Sequence, residues 1–355
     1  MELTGTITMA HGSGGEDSSI LMRHIFGKRF ANPTLDRLED AAVLPPHNGQ
    51  FSFVPSPLVV STDSFVVTPM EFAGGDIGKL AVCGTVNDVL MMGGVPTYLT
   101  CGFILEEGLG LATIDRVAAS MARAAKAAGV TIVAGDTKVI GRGGADAATG
   151  AGMFINTTGI GFLRESIASG EASAPGATGA RAGDAVLVSG TLGDHHACIL
   201  SARLGIENGI TSDCAALNDV AGALYETGLG VHVHAMRDVT RGGLATVMNE
   251  IAEASVVTIE LDENSIPVTG EVRAFCGIMG LDPLYMGNEG KMIAIVRGED
   301  AEHALATMRR TEHGKGARII GRVVGQGESA VIVKTRIGGT RKVSALRDEG
   351  LPRIC

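Results

Sequence analysis

Apolar residues in this chain gather into two kinds of run that alternate along its length: short stretches ending on an acid, and longer stretches of helical length. Residues 58–63, LVVSTD, and 96–105, PTYLTCGFIL, read as strands. Residues 76–92, DIGKLAVCGTVNDVLMM, have helix length and are apolar nearly all round, which predicts a buried helix. IDRVAASMARAAKAAG (114–129) predicts an Ala-rich helix stopped by Gly129, and VTIVAGD (130–136) a buried strand that again ends on an acid. GRGGADAATGAG (141–152) reads as a loop. The Gly-, Ala-, Ser- and Pro-rich stretch 164–180 is the best candidate for a domain boundary. Beyond it DAVLVSG (184–190) opens a second series, with a helix near 239–254 and a strand at 291–296. The alternation predicts an α/β (α+β) class, and 355 residues suggest two domains.

Composition narrows the function classes. A net charge of −10 argues against a nucleic-acid surface or an anionic membrane, and 4% aromatics with no Trp leave little for base stacking. An acidic protein that binds polyphosphate is expected to recruit divalent metal to neutralise it. The six cysteines (Cys83, Cys101, Cys198, Cys214, Cys276, Cys355) show neither a C-x-x-C pair nor zinc-type spacing. The N-terminus lacks the basic and apolar regions of a signal peptide, and no run of about 18 apolar residues exists. A cytoplasmic protein with reduced thiols is expected.

Several stretches carry candidate chemistry. HGSGG (11–15) precedes a helical-looking segment, and such a loop exposes N–H groups that cradle phosphate. Taken alone, a plain flexible turn is the favoured reading. Asp40, Asp63, Asp88 and Asp136 sit at the edges of apolar segments. Singly each is explained as a cap or a paired acid. Asp88, however, interrupts an apolar helix, where an unpaired carboxylate is costly. Acids at strand ends around a glycine-rich loop are suitable Mg²⁺ ligands for a nucleoside triphosphate. Lys138, two residues beyond Asp136, points to the same side of an extended segment, as a phosphate ligand or as a simple ion pair. RDVTRGGL (237–244) sets Asp238 and Arg241 beside paired glycines, where Asp238 is explained in part as a helix cap. Glu289 lies between glycines just before a strand, where a glutamate is most often a solvated turn residue. His195 and His196 are adjacent and face apart on regular structure, which weighs against a metal pair.

The order of the pieces is specific: HGSGG, STDSFVVTP, GGDIGKLAVCGTVNDV, CGFILEEGL, VAGDTKVI, SGTLGDH, RDVTRGG, GNEGK and the terminal PRIC. From His11 to Cys355 the chain closely resembles the HypE family of hydrogenase maturation factors, within the ATP-using superfamily of aminoimidazole ribonucleotide synthetase. The resemblance implies an N-terminal ATP-binding and dimerisation domain (1–165) whose sheet pairs across a homodimer, and a C-terminal α/β domain (180–343). A mobile tail (344–355) would carry Cys355.

The implied reaction is dehydration of a carbamoyl group on Cys355 to a thiocyanate, using ATP and Mg²⁺. A HypF carbamoyltransferase would load the cysteine, and a HypC–HypD complex would accept the cyano group. By the same resemblance Cys355, Glu289 and Lys138 are catalytic, with Glu289 the base. Gly12, Gly14, Gly15, Lys79, Asn87, Thr137 and Asp238 would bind the nucleotide, and Asp40, Asp63, Asp88 and Asp136 the metal. Glu39 stands where the wider superfamily commonly has a second aspartate, which weakens a metal assignment to the Glu39–Asp40 pair. The twelve residues from Ser344 could span about 40 Å, enough to move a thiol between sites. The competing readings are a non-catalytic carrier and another ATP-dependent synthetase of the superfamily. A selenophosphate synthetase would need a reactive Cys with a Lys ahead of the glycine-rich loop, and residues 1–10 hold neither.

Overall fold

The computed structural model describes residues 35–37, 39–44, 57–141, 152–226 and 232–346, together with Glu16 and Ser19. The predicted glycine-rich loop with Gly12, Gly14 and Gly15, and the terminal Cys355, lie outside the described residues. In the N-terminal half the strands are β1 (Ala42–Leu44), β2 (Leu58–Phe65), β3 (Glu71–Phe72), β4 (Gly75–Asp76), β5 (Gly94–Glu106), β6 (Thr131–Ile140) and β7 (Met153–Leu163). Its helices are α1 (Ile77–Met91), α2 (Leu111–Ala127) and the short α3 (Glu165–Ala168). Five of the strands form one sheet in the order β1-β2-β7-β5-β6, antiparallel throughout except for the parallel pair β5–β6.

The C-terminal half contains β8 (Ala185–Val188), α4 (Asp194–Leu204), α5 (Asn218–Glu226), β9 (Val233–Asp238), α6 (Gly243–Ser255), β10 (Val257–Asp262) and α7 (Gly270–Met279). Then follow β11 (Met292–Val296), α8 (Ala301–Arg309), β12 (Arg318–Gln326), β13 (Ala330–Lys334) and β14 (Thr340–Val343). They build a seven-stranded sheet in the order β14-β13-β10-β12-β8-β11-β9, in which only β10 and β13 run parallel. The two-domain α/β arrangement expected from the alternating runs is present.

Helix α1 organises the molecule. Asp76 caps it, its carboxylate accepting from the N–H groups of Gly78 and Lys79 at 2.8 and 2.9 Å. Every residue but Lys79 and Asp88 is buried, as an all-round apolar pattern demands. One side presses on α2 at Gly78, where a Cβ would stand 2.6 Å from the Val117 carbonyl. Another lies on the sheet at Gly159 of β7, where a Cβ would stand 2.8 Å from Thr85. The remaining side meets the C-terminal half, so that Leu80, Val86 and Leu90 share one continuous core with Leu217, Leu224 and Met236. Asn87 fastens this junction. Its amide donates to Ala215 O (3.0 Å) and accepts from Leu217 N–H (2.9 Å).

One strand departs from expectation. VTIVAGD was expected to be buried, yet β6 is exposed along its whole length. It is the last strand of the sheet and pairs only with β5, so its apolar residues Ile132, Val133, Val139 and Ile140 have no cover among the described residues.

Leu80 is fully buried near the start of α1. Leu80→Ala is expected to lower unfolding free energy by about 2–5 kcal/mol, read as a shifted urea midpoint with an unchanged m-value.

Candidate active site

Four carboxyl groups converge where α1, β2 and the C-terminal half meet. Asp63 comes from β2, Asp88 from the last turns of α1, Asp238 from the end of β9, and Glu289 from the turn Gly287–Gly290 ahead of β11. Asp238 is not the cap of a helix, because α6 begins after Gly242; its carboxyl is buried at a strand end instead. Nor is Glu289 a solvated turn residue, being 4% exposed. Ser61 donates to Asp88 Oδ2 at 2.6 Å and stands 3.2 Å from the Asp40 carbonyl, which draws β1's approach into the same region. The Asp40 carboxylate itself is paired through Oδ1 with Arg237 Nη1, while its Oδ2 is buried with no hydrogen-bond partner among the described residues. Arg241 Nη2 lies 3.9 Å from Asp63 Oδ1. Glu39 turns away and accepts from the Ala177 N–H at 3.1 Å.

The electrostatics of this cluster are unusual. Burial, followed by the charges of Asp238 and Asp63, holds the Asp88 carboxyl well above the carboxylate range, against the Ser61 hydrogen bond and Arg241. Asp238 is pushed up to about 6, chiefly by burial, with Arg237 opposing. Glu289 is raised well above its ordinary value by burial and then by Asp238, Asp213 and Asp63, with Arg241 opposing. Like charges crowd one another here, and a hard divalent cation relieves that repulsion. The donor set, carboxylate oxygens with a hydroxyl at hand, fits Mg²⁺. Among the described residues no three acidic, imidazole or thiol side chains already close round a single point.

The remaining predicted residues stand elsewhere. Asp136, Thr137 and Lys138 lie on β6, with Lys138 Nζ 2.7 Å from Asp136 Oδ2 and both side chains about two-thirds exposed. The ladder sets Asp136 opposite Gly102, Gly102 opposite Asn156 and Asn156 opposite Ser64. Asp136 is therefore level with Ser64, one residue along from Asp63 and so on the opposite face of the sheet, and three inter-strand steps away, about 14 Å. One chain does not bring them together. Lys79 Nζ donates to Gly74 O at 2.9 Å, and Asn87 has both ends of its amide engaged at the domain junction.

Sequence reasoning passed over Ser61, Arg237 and Asp213, all buried polar groups at this junction. Asp213, in TSDCAAL, offers the signal that singled out Asp88: an acid interrupting small and apolar residues. Ser61 and Arg237 carry no such signal, because hydroxyls and strand-end arginines are common.

Known proteins share this architecture. Residues 38–163 match the family AIR synthase related protein, N-terminal domain, and residues 181–334 match its C-terminal domain. Carbamoyl dehydratase HypE of Cupriavidus necator is 46% identical over 354 residues, covering 99% of this chain and 95% of that one. A crystal structure of the hydrogenase maturation protein HypE in complex with ATP is similar with a TM-score of 0.78 at 47% identity, covering 99% of this chain and 100% of that one. A chain of the HypE–HypF complex is similar with a TM-score of 0.81 at 42% identity, covering 92% and 99%.

The raised Asp238 carboxyl has a consequence for stability. The folded state binds its proton more tightly than the unfolded chain, so this group's contribution falls as pH rises from about 4 through about 6. Asp238→Asn is expected to be more resistant to urea than the parent at pH 7.5 and nearly equal to it at pH 4.5.

Proposed function

This chain belongs to the HypE family of carbamoyl dehydratases, and from that premise we propose that it dehydrates a carbamoyl group carried on Cys355 to a thiocyanate, with ATP as phosphoryl donor. The product is the source of the cyanide ligands of a hydrogenase iron. The observation that carries the reading in this structure is the buried Glu289 carboxyl among Asp63, Asp88 and Asp238 at the junction of the two halves.

The chemistry asks two things of the protein. An amide oxygen is a poor leaving group, and transfer of the γ-phosphoryl group to it creates phosphate as the leaving group. Two nitrogen-bound protons must also depart as the C–O bond breaks and the C≡N bond forms. Glu289 takes a proton from nitrogen, and burial raises its basicity for that task. Lys138 orients the phosphate or the carbamoyl group. Asp63, Asp88 and Asp136 hold Mg²⁺, with Asp40 beside them, and the ion when bound neutralises the phosphates. Asp238, Lys79, Asn87 and Thr137, with Gly12, Gly14 and Gly15, form the nucleotide's surroundings.

Asp136, Thr137 and Lys138 reach such a site only from a second copy. The bare apolar edge of β6 supports a homodimer in which that strand packs against its partner, so each site draws Lys138 from one protomer and Glu289 from the other. A HypF carbamoyltransferase loads Cys355 and a HypC–HypD complex receives the cyano group, in the cytoplasm. Among the described residues no helix is long and apolar enough to cross a membrane.

Intact mass tests the reaction. After incubation with HypF, carbamoyl phosphate and Mg·ATP, the protein should gain one carbamoyl group and then lose one water. Glu289→Gln is expected to gain the carbamoyl group normally and to lose water at least about 100-fold more slowly. A parent protein that is loaded but never loses water would leave the carrier reading instead. Mixing Lys138→Ala with Glu289→Gln protein should restore dehydration, because a mixed dimer contains one intact site. No recovery on mixing would overturn the shared site.

A further inference from the structure

The turn that presents Glu289 is held at almost every backbone polar group. Asn288 N–H donates to Val239 O at 2.9 Å. The Asn288 amide accepts from Gly193 N–H at 2.7 Å and donates to Val239 O and Met286 O at 3.0 and 3.2 Å. Glu289 O accepts from Ala215 N–H at 3.2 Å. The Gly287 N–H faces His196 Nδ1 at 3.5 Å, and the N–H groups of Glu289 and Gly290 go to one side chain: Asp213 Oδ1 and Oδ2, each at 3.2 Å. Lys291 Nζ completes the set 3.1 Å from Asp213 Oδ2, and the Asp213 side chain is 4% exposed. Gly290 makes the approach possible, since a Cβ there would fall 1.9 Å from the Asp213 carbonyl.

Asp213 is itself anchored to both halves. Ser212 N–H donates to Ala73 O at 2.8 Å, and its hydroxyl meets His195 Nδ1 at 2.7 Å and the Cys214 N–H at 3.1 Å. Ala215 O accepts from Asn87 of α1. The segment 212–215 thus forms a bracket that runs from α1 to the underside of the Glu289 turn.

We propose that Asp213 is a positioning residue for the dehydration: its carboxylate chelates two consecutive N–H groups and fixes the Glu289 backbone against both halves of the molecule. The inference rests on the reading of Glu289 as the base. Only a carboxylate suits the place. An asparagine has a single acceptor oxygen, and its NH₂ would face either a backbone N–H or the Lys291 ammonium, leaving a buried donor unpaired.

The test compares Asp213→Asn, Glu289→Gln and the double variant in full-length protein, loaded by HypF and followed by intact mass. Asp213→Asn is expected to lose water about 10- to 100-fold more slowly, with KM for ATP changed less than about twofold and carbamoylation of Cys355 unaffected. The double variant is expected to be no slower than Glu289→Gln alone, because Asp213 acts only through that side chain. A wild-type rate for Asp213→Asn, a KM for ATP that rises in step with the loss, or defects that multiply in the double variant would each overturn the inference. Wild-type dehydration by Glu289→Gln would overturn the base reading itself, and the inference with it. Should the Asn variant not fold, Asp213→Ser, which lets water under the turn, supports the same comparison.

Discussion

A helix with no polar face cannot rest on the surface of anything; it has to be covered from every side. Helix α1 imposes that condition here, and much of the architecture answers it. The five-stranded sheet covers one side and α2 another, while the third is covered only because the C-terminal half docks there and merges its core with that of the N-terminal half. The functional groups inherit their geometry from this demand. Asp88 projects from α1 itself, Asp63 from the strand beneath it, and Asp238 and Glu289 from the half that closes over it.

The same burial explains why the acids are energetically uncomfortable. Carboxyl groups at an apolar junction lose hydration, and each lies in the field of the others. Such a cluster destabilises the fold on its own, and the surrounding core offsets the cost. Arg237 and Arg241 neutralise part of the charge, leaving a site that favours hard cations and basic carboxylates. Structural pairs elsewhere, such as Arg116 with Glu71 on the surface, show no comparable crowding.

How much of this was legible in the residues differs from place to place. The burial of α1 could be read directly, because an apolar pattern without a polar stripe has one physical meaning. Asp88 stood out for the same reason. Glu289 did not: a glutamate between glycines has the local signature of an exposed turn, and the segments that hold this one, residues 212–215 among them, are distant in sequence. The role of Asn87 at the junction was equally hidden, since an amide that binds nucleotide and one that clamps a backbone look alike in a sequence. β6 was misread as buried because VTIVAGD has the composition of a core strand. Its place at the edge is a matter of strand order, which local patterning does not encode.

The shared core also constrains how a substrate arrives. Many two-domain enzymes admit their substrates by hinging apart, but separating these halves would bare the flank of α1 to water. Each 100 Å² of apolar surface so exposed costs about 2.5 kcal/mol, which keeps such open forms rare. Traffic to Glu289 therefore cannot rely on the two halves parting, and a reacting group borne on the tip of an extended chain can be delivered there without moving either of them.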